Sequence, residues 1–224
     1  SQVREMRRVL DRTGSSRKLA VGVMMSRKTL LNEPTKWADV FPRKTQIADI
    51  FLPGPGLFNV LHYADYEGKS TSREFLKAVG YTGKYLHALQ LDMIWPQTQS
   101  LTILKESAPD LAIILQVGTK SMEQCDDDPD QVAQRLIPYR AVGCLDYVLL
   151  DKSMGKGLGM DAKLLLTYIR AIKNRLPTVA IVVAGGLGPV TMGLVSPIRA
   201  EYPDVSIDAQ GQLRPSKDAL DPID

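Results

Sequence analysis

The sequence predicts an α/β fold, a (β/α)8 TIM barrel with an extra N-terminal helix and an irregularity between its second and third strands. Three observations predict it. Apolar runs of strand length alternate with helical patterns, which is the signature of a parallel sheet with crossover helices. The apolar runs number eight. The last two of them, in Ala180-Ile-Val-Val-Ala-Gly-Gly-Leu-Gly188 and Val205-Ser-Ile-Asp-Ala-Gln-Gly-Gln-Leu-Arg214, both run into glycine. Glycine lets backbone N–H groups come close to a ligand because no Cβ intervenes. Two such strand ends in succession match the phosphate cradle after the last strands of a barrel. A phosphorylated small molecule is therefore the expected partner. The bland alternative is that these glycines only turn the chain.

The elements follow in order. Gln2 to Arg12 is an opening helix, with Val3, Met6 and Leu10 at helical spacing. Leu19–Met25 is the first strand, and a helix around Trp37 to Phe41 stops at Pro42. Ile47–Leu52 is the second strand and Phe58–Tyr63 the third. Only Pro53-Gly-Pro-Gly-Leu57 separates them, too short for a parallel crossover, which needs about ten residues or more. Either the barrel is irregular here or one strand is misassigned. A helix beginning near Ser72 leads to the fourth strand, Leu86–Met93. Gln97 to Glu106 is helical, and Leu111–Val117 is the fifth strand. Asp128 or Asp130 caps a helix running to about Arg140, because Asp accepts from free N–H groups there. Tyr147–Leu150 is the sixth strand. Asp161 to Arg175 is the clearest helix: Leu164, Leu165, Tyr168, Ile169 and Ile172 share a face and Pro177 stops it. Val179–Val183 is the seventh strand, Val190 to Glu201 a helix, Val205–Ile207 the eighth strand, and Lys217 to Leu220 a short terminal helix.

Bulk properties narrow the function classes. A chain of 224 residues suits one large α/β domain spanning residues 1–224. Its 28 basic and 25 acidic residues are too balanced for a nucleic-acid binder. No run is long and apolar enough for a membrane span, and the N-terminus lacks a signal region. Cys125 and Cys144 form no ligand motif and no disulfide framework. A cytoplasmic protein without a membrane or nucleic-acid partner is the default, and a homo-oligomer is compatible with it. No cofactor is expected: Gly155-Lys-Gly-Leu-Gly159 lacks the spacing of a P-loop and reads as a mobile loop or a linker.

Active sites of such barrels gather at the carboxyl ends of the strands. The polar residues there are Ser26 and Arg27, His62 and Asp65, Gln90 and Asp92, Gln116 and Lys120, Asp151 and Lys152, and Asp208, Gln210 and Arg214. Alternation puts Gln90 and Asp92 on one side of their strand, and Asp208 and Gln210 on one side of theirs. If those sides face the axis, several carboxylates converge. Asp151, directly after Tyr-Val-Leu-Leu, is the strongest candidate for a general acid or base. The competing reading is a carboxylate that accepts backbone N–H bonds in the next loop. Lys152 faces the opposite way, towards the helices, which weighs against a Schiff-base lysine. His62, Asp92 and Asp151 together would suit a metal, although a lone strand histidine is more often structural. The pair Met24-Met25 reads as core packing.

These residues resemble a family. Asp146-Tyr-Val-Leu-Leu-Asp151, followed by a Gly-rich loop and Met160-Asp161, is similar to the sixth-strand segment of phosphoribosylanthranilate isomerase, a tryptophan-biosynthesis enzyme. Val183-Ala-Gly-Gly-Leu-Gly-Pro189 resembles its seventh-strand phosphate loop, and Ser206-Ile-Asp-Ala-Gln-Gly211 its eighth-strand segment. Leu89-Gln-Leu-Asp92 is similar to its fourth-strand Gln-Leu-His. The likeness follows strand order over about Lys18 to Asp221 and is specific in the last third. It implies a general acid at Asp151, phosphate held by the backbone at Gly185, Gly186 and Gly211, and an eighth-strand carboxylate at Asp208. The family's strand-one Lys-Ile-Cys-Gly, which supplies its base, has no counterpart in Ala20-Val-Gly-Val-Met-Met-Ser26. Its basic loop after strand two is replaced by Pro53-Gly-Pro-Gly56, and its fourth-strand His by Asp92.

Three functions follow. One is an isomerase-like enzyme on a phosphorylated sugar derivative, with Asp151 as acid, Asp92 or Asp208 as base, and Gln90, Gln210 and Arg214 binding substrate. Another is a metal-dependent epimerase or lyase on a sugar phosphate, using His62, Asp92 and Asp151. The third is a non-catalytic phosphate-ligand binder or an assembly protein. The isomerase reading assigns no metal ligands.

Overall fold

A computed structural model describes residues 2–38, 40–152 and 159–214. Helix α1 (Gln2–Arg12) precedes strand β1 (Leu19–Ser26). Then come α2 (Arg27–Leu31), α3 (Ile47–Ile50) and β2 (Leu57–Asp65). Helix α4 (Ser72–Gly80), β3 (Ala88–Met93), α5 (Thr98–Ser107) and β4 (Ala112–Gly118) follow. Next are α6 (Thr119–Glu123), α7 (Pro129–Ala141), β5 (Tyr147–Asp151) and α8 (Ala162–Arg175). Strand β6 (Ala180–Val183), α9 (Ser196–Glu201) and β7 (Ser206–Ile207) complete the described elements.

The seven strands lie in sequence order, each parallel to the next. Right-handed crossovers that never reverse direction put every helix on one face of the sheet. The sheet therefore curls around its other face, as in a TIM barrel. The register carries the stagger that curling needs. Met24 near the end of β1 aligns with His62, Gln90 and Ile114 in turn, and then with Tyr147 at the start of β5.

The two faces have separate cores. The outer face, including Val23, Met25, Leu61, Tyr63, Leu89, Leu91, Leu115, Val148, Leu150 and Val183, packs against the helices. Burying each such side chain contributes about 1.5–3 kcal/mol before ordering entropy is subtracted. Tyr63 and Phe75 of α4 meet edge to face at 5.7 Å. The inner face holds a smaller cluster of Val60, Ala88, Ile114, Leu149, Val182 and Ala184. Phe58 and Tyr147, with ring centres 5.8 Å apart, pack against it towards the amino ends of the strands. Small and branched residues inside leave the polar residues of the same period at the strands' carboxyl ends.

Four local expectations change. Ile47–Leu52 is not a strand: Ile47–Ile50 is helical, preceded by a turn of 3-10 helix at Lys44–Gln46. Ile47 and Phe51 are both buried, four residues apart, and that period belongs to a helix. The short-crossover conflict then disappears, because the chain between β1 and β2 spans residues 27–56 and contains two helices. The described residues therefore contain seven strands in place of the expected eight. Around Trp37 and Phe41 the described chain forms turns, with the two rings stacked at 5.4 Å, in place of a helix. The expected helix over 190–201 is split into 3-10 helix Met192–Val195 and α9, and Pro197 occupies the first turn of α9. The expected terminal helix at 217–220 and most of the Gly-rich loop at 155–159 lie outside the described residues.

Among the described residues, β1 and β7 share no backbone pairing. A side chain spans the gap at its amino end. The Arg17 guanidinium donates to the carbonyls of Val205, at 2.6 Å, and Pro203. Helix α1 docks beside it, with the Arg7 guanidinium lying where a side chain on Gly56 would stand.

Candidate active site at the carboxyl ends of the strands

The carboxyl ends of the strands surround a cavity of about 440 Å³. That volume suits a small molecule. Asp92, Asp151, Asp208, Gly185, Gly186, Gln210 and Gly211, all singled out from the sequence, line it. His62, Tyr66, Gln116, Thr119 and Lys120 join them.

Two segments form the glycine wall. After β6, Gly185 and Gly186 take φ values of 119° and 62°, a region open to glycine at little cost. The Thr191 hydroxyl donates to the carbonyls of Gly186, at 2.7 Å, and Gly188, at 3.2 Å. Among the described residues the amides of Gly185, Gly186 and Leu187 donate to no carbonyl, although Gly185 and Leu187 are buried. Backbone amides at such a strand end can donate to a bound anion. After β7, the Arg214 amide donates to the Gly211 carbonyl and closes a 3-10 turn. The two segments touch at Gly188, where an added Cβ would stand 2.5 Å from Gln212 Cβ.

The carboxylates and the histidine of the lining come from three other strands and from the end of β7. Asp92 Oδ2 accepts from the Tyr66 hydroxyl at 3.0 Å and lies 3.5 Å from His62 Nε2. The Gln90 amide donates to Gln116 Oε1 at 2.9 Å and stands 3.4 Å from His62 Nδ1. A donating amide makes Nδ1 an acceptor, so the ring proton of neutral His62 sits on Nε2 and faces Asp92. That nitrogen is buried and has no hydrogen-bond partner among the described residues. Tyr66 is largely exposed, but partial desolvation of its hydroxyl and the adjacent Asp92 charge push its pKa up, so it stays a donor. Burial also raises the Asp208 pKa, the Asp151 charge adds to the rise, and His62 opposes it. Asp151 ends β5 and lines the cavity.

Other candidates are placed elsewhere. Gln90 is buried and does not line the cavity; its amide orients His62 and Gln116. Arg214 does not line the cavity either, and its buried Nε has no partner among the described residues. Asp65 is a structural carboxylate that accepts from Glu67 N, Ser70 N and Ser70 Oγ. Ser26 caps α2, and Arg27 pairs with Glu74 at 2.8 Å. Lys152 turns outward to Asp127 at 2.8 Å, as its alternation predicts. Both cysteines are free and buried. Among the described residues no group of three or more His, Cys, Asp or Glu is arranged to hold a metal ion, so His62, Asp92 and Asp151 do not form the triad that the metal-dependent alternative would need. Tyr66 and Thr119 were not foreseen, since each lies just past a strand end, where no period identifies an inward residue. At the end of β1 the cavity-lining residue is Met24, an aprotic side chain.

No protein-family model matches the chain, and no curated protein matches its sequence. Among solved structures it is similar to phosphoribosyl anthranilate isomerase from Thermus thermophilus, with a TM-score of 0.57 and 13% identity over 91% of this chain and 81% of that one. A weaker likeness, with a TM-score of 0.47 and 11% identity, is to 2,3-dimethylmalate lyase, a PEP mutase/isocitrate lyase superfamily member. It covers 91% of this chain and 79% of that one. The first likeness shows the fold: the chain is a TIM-barrel-like α/β protein, with seven parallel strands in a curled sheet among the described residues. Among the described residues no helix is long and apolar enough to cross a membrane.

Proposed function

We propose that this chain is an acid–base enzyme of the isomerase type acting on a phosphorylated sugar derivative. The phosphate would accept from the amides of Gly185, Gly186 and Gly211. The observation that carries the reading is the convergence on one cavity of glycine amides that donate to no carbonyl among the described residues, an Asp92–His62 pair and a raised-pKa Asp208. Fold alone would not support it, because this fold hosts many chemistries.

The chemistry needs a base to take a proton from carbon and an acid to protonate the developing oxyanion. Met24 cannot serve as base. Asp92, beside His62 Nε2 and Tyr66 Oη, takes the proton in this reading. Asp208 is the better acid than the sequence suggested, because burial favours its protonated form. Asp151 at the end of β5 is the second carboxylate able to relay a proton.

Proton exchange tests this. The protein is incubated with aldose and ketose phosphates in D2O, and proton NMR follows deuterium entering the carbon next to the carbonyl. The reading expects exchange that falls by about 10²–10⁴ in Asp92→Asn or Asp208→Asn, while inorganic phosphate still binds. Binding without exchange across the panel would make this a non-catalytic phosphate-ligand protein.

A further inference from the structure

We infer that Gln116 turns its amide N–H groups to the cavity and donates to an acceptor oxygen of the ligand, the carbonyl oxygen in the isomerase reading. This rests on the phosphorylated-sugar reading above and names a residue that recognises the ligand beyond its phosphate.

The direction of the Gln116 amide is set at Asp92. Asp92 Oδ2 accepts from the Tyr66 hydroxyl at 3.0 Å and faces His62 Nε2 at 3.5 Å. A lone pair on that nitrogen would repel the carboxylate, whereas an N–H attracts it. The proton of the neutral ring therefore sits on Nε2, and Nδ1 is an acceptor. His62 and Gln90 are register partners on β2 and β3, and Gln90 Nε2 stands 3.4 Å from Nδ1. An acceptor at Nδ1 calls for the NH2 end of the Gln90 amide and not its oxygen. The same Nε2 carries a second N–H and lies 2.9 Å from Gln116 Oε1. One amide thus turns two side chains: each gives its acceptor to Gln90 and keeps its donor for another partner. Gln116 lines the cavity, so the end it offers a ligand there is NH2. A donor oriented in advance needs no reorganisation when an oxygen docks on it, and its bond strengthens as charge develops on that oxygen. Gln90, buried at 6% exposure, is the positioning residue. The reverse polarity needs a proton on Nδ1 and would show the cavity a Gln116 oxygen.

Two measurements test the inference, and neither needs turnover. The chain has two histidines, so two-bond 1H–15N correlation spectra of 15N-histidine-labelled protein locate the His62 proton, with His62→Asn for assignment. The expected position in the parent is Nε2. Calorimetry then compares inorganic phosphate, dihydroxyacetone phosphate and ribulose 5-phosphate on the parent and on Gln116→Leu. The ketose phosphate that the parent binds tighter should bind Gln116→Leu about 3–10-fold more weakly, with inorganic phosphate held within about twofold. Gln90→Glu, whose ionised side chain offers only acceptors, should put a proton on Nδ1 and weaken the same ligand, because Gln116 then turns its N–H groups inward. Thermal melts verify folding. A parent ring protonated on Nδ1 overturns the inference. Unchanged ketose phosphate affinity in Gln116→Leu also overturns it, as does a parent that binds neither ketose phosphate more tightly than inorganic phosphate. In Gln90→Glu, an unmoved ring proton together with unchanged affinity would show that Gln90 does not set the direction, which overturns it as well. The expected binding without proton exchange supports this inference and counts against the isomerase reading alone. If no phosphate binds at all, the cradle reading fails and the inference falls with it.

Discussion

Replacing Gly188 by alanine should push apart the two segments that form the glycine wall. The added Cβ would lie 2.5 Å from Gln212 Cβ, 2.9 Å from Gln212 O and 3.2 Å from Gln212 C. Carbon atoms rest at about 3.5–4.0 Å, so the segments must separate by about 1 Å. The backbone of Gly188 is outside the left-handed region, so the cost lies in contact and not in φ. Overpacking of this kind costs about 1–3 kcal/mol, and the lower half of that range applies at strand-end loops free to shift. The separation also moves Gly211 away from Gly185 and Gly186. Loss of one hydrogen bond to a charged group, about 1.5–3 kcal/mol, weakens phosphate binding by about 10–100-fold. Chemical denaturation reads the first effect and calorimetric titration with inorganic phosphate the second. Gly193→Ala is the control, because a Cβ there meets nothing within 4 Å. If Gly188→Ala melts and binds phosphate like the parent, the two segments do not meet as described and the reasoning fails.

Three further outcomes can be checked. Asp208→Asn should raise stability at neutral and alkaline pH: a carboxyl with a raised folded pKa favours the native state at low pH and loses that contribution as pH rises through the folded value. Melts across pH should show the advantage vanishing towards the ordinary value of 3.8, and a variant less stable than the parent at pH 8 would contradict the burial of this group. Glu74→Gln should behave in the opposite sense. Burial would raise the Glu74 pKa, but hydrogen bonds from Thr71 and Arg27 prevail and lower it, so its contribution is present above the ordinary 4.5 and lost as pH falls through the lowered value. The variant should lose about 1 kcal/mol at neutral pH, with a flatter acid limb. Asp65→Ala should destabilise by about 1–3 kcal/mol by stranding the Glu67 and Ser70 donors. Its phosphate affinity should be unchanged in titration, and a large loss would mean that the turn positions the cavity.

Much of the architecture is local and therefore legible along the chain. The span of α8 follows from apolar spacing, although Asp161, read as its first residue, is its cap and accepts from Leu164 N. Asp128 was one of two capping candidates, and its carboxylate accepts from Asp130 N at 2.8 Å. The carboxylates at the ends of β3, β5 and β7 follow from a period of two, since inward positions recur whatever the distant strands do. The apolar run at Ile47–Ile50 shows the limit: over four residues, the strand and helix periods cannot be told apart without knowing what Ile47 and Phe51 pack against.

Tertiary structure decided what each inward residue does. Gln90 and Asp92 share a strand face, yet only Asp92 reaches the cavity, because Gln116 and His62 lie beside the Gln90 amide. The raised pKa of Asp208 comes from enclosure and from Asp151 on another strand, neither encoded near it in sequence. Tyr66 joins the site through a turn that aims its hydroxyl at Asp92. The contact between Gly188 and Gln212 depends on how far the sheet curls. Alternation along a chain sets which way side chains point, whereas charge, proton position and fit depend on neighbours that only folding brings within a few ångströms.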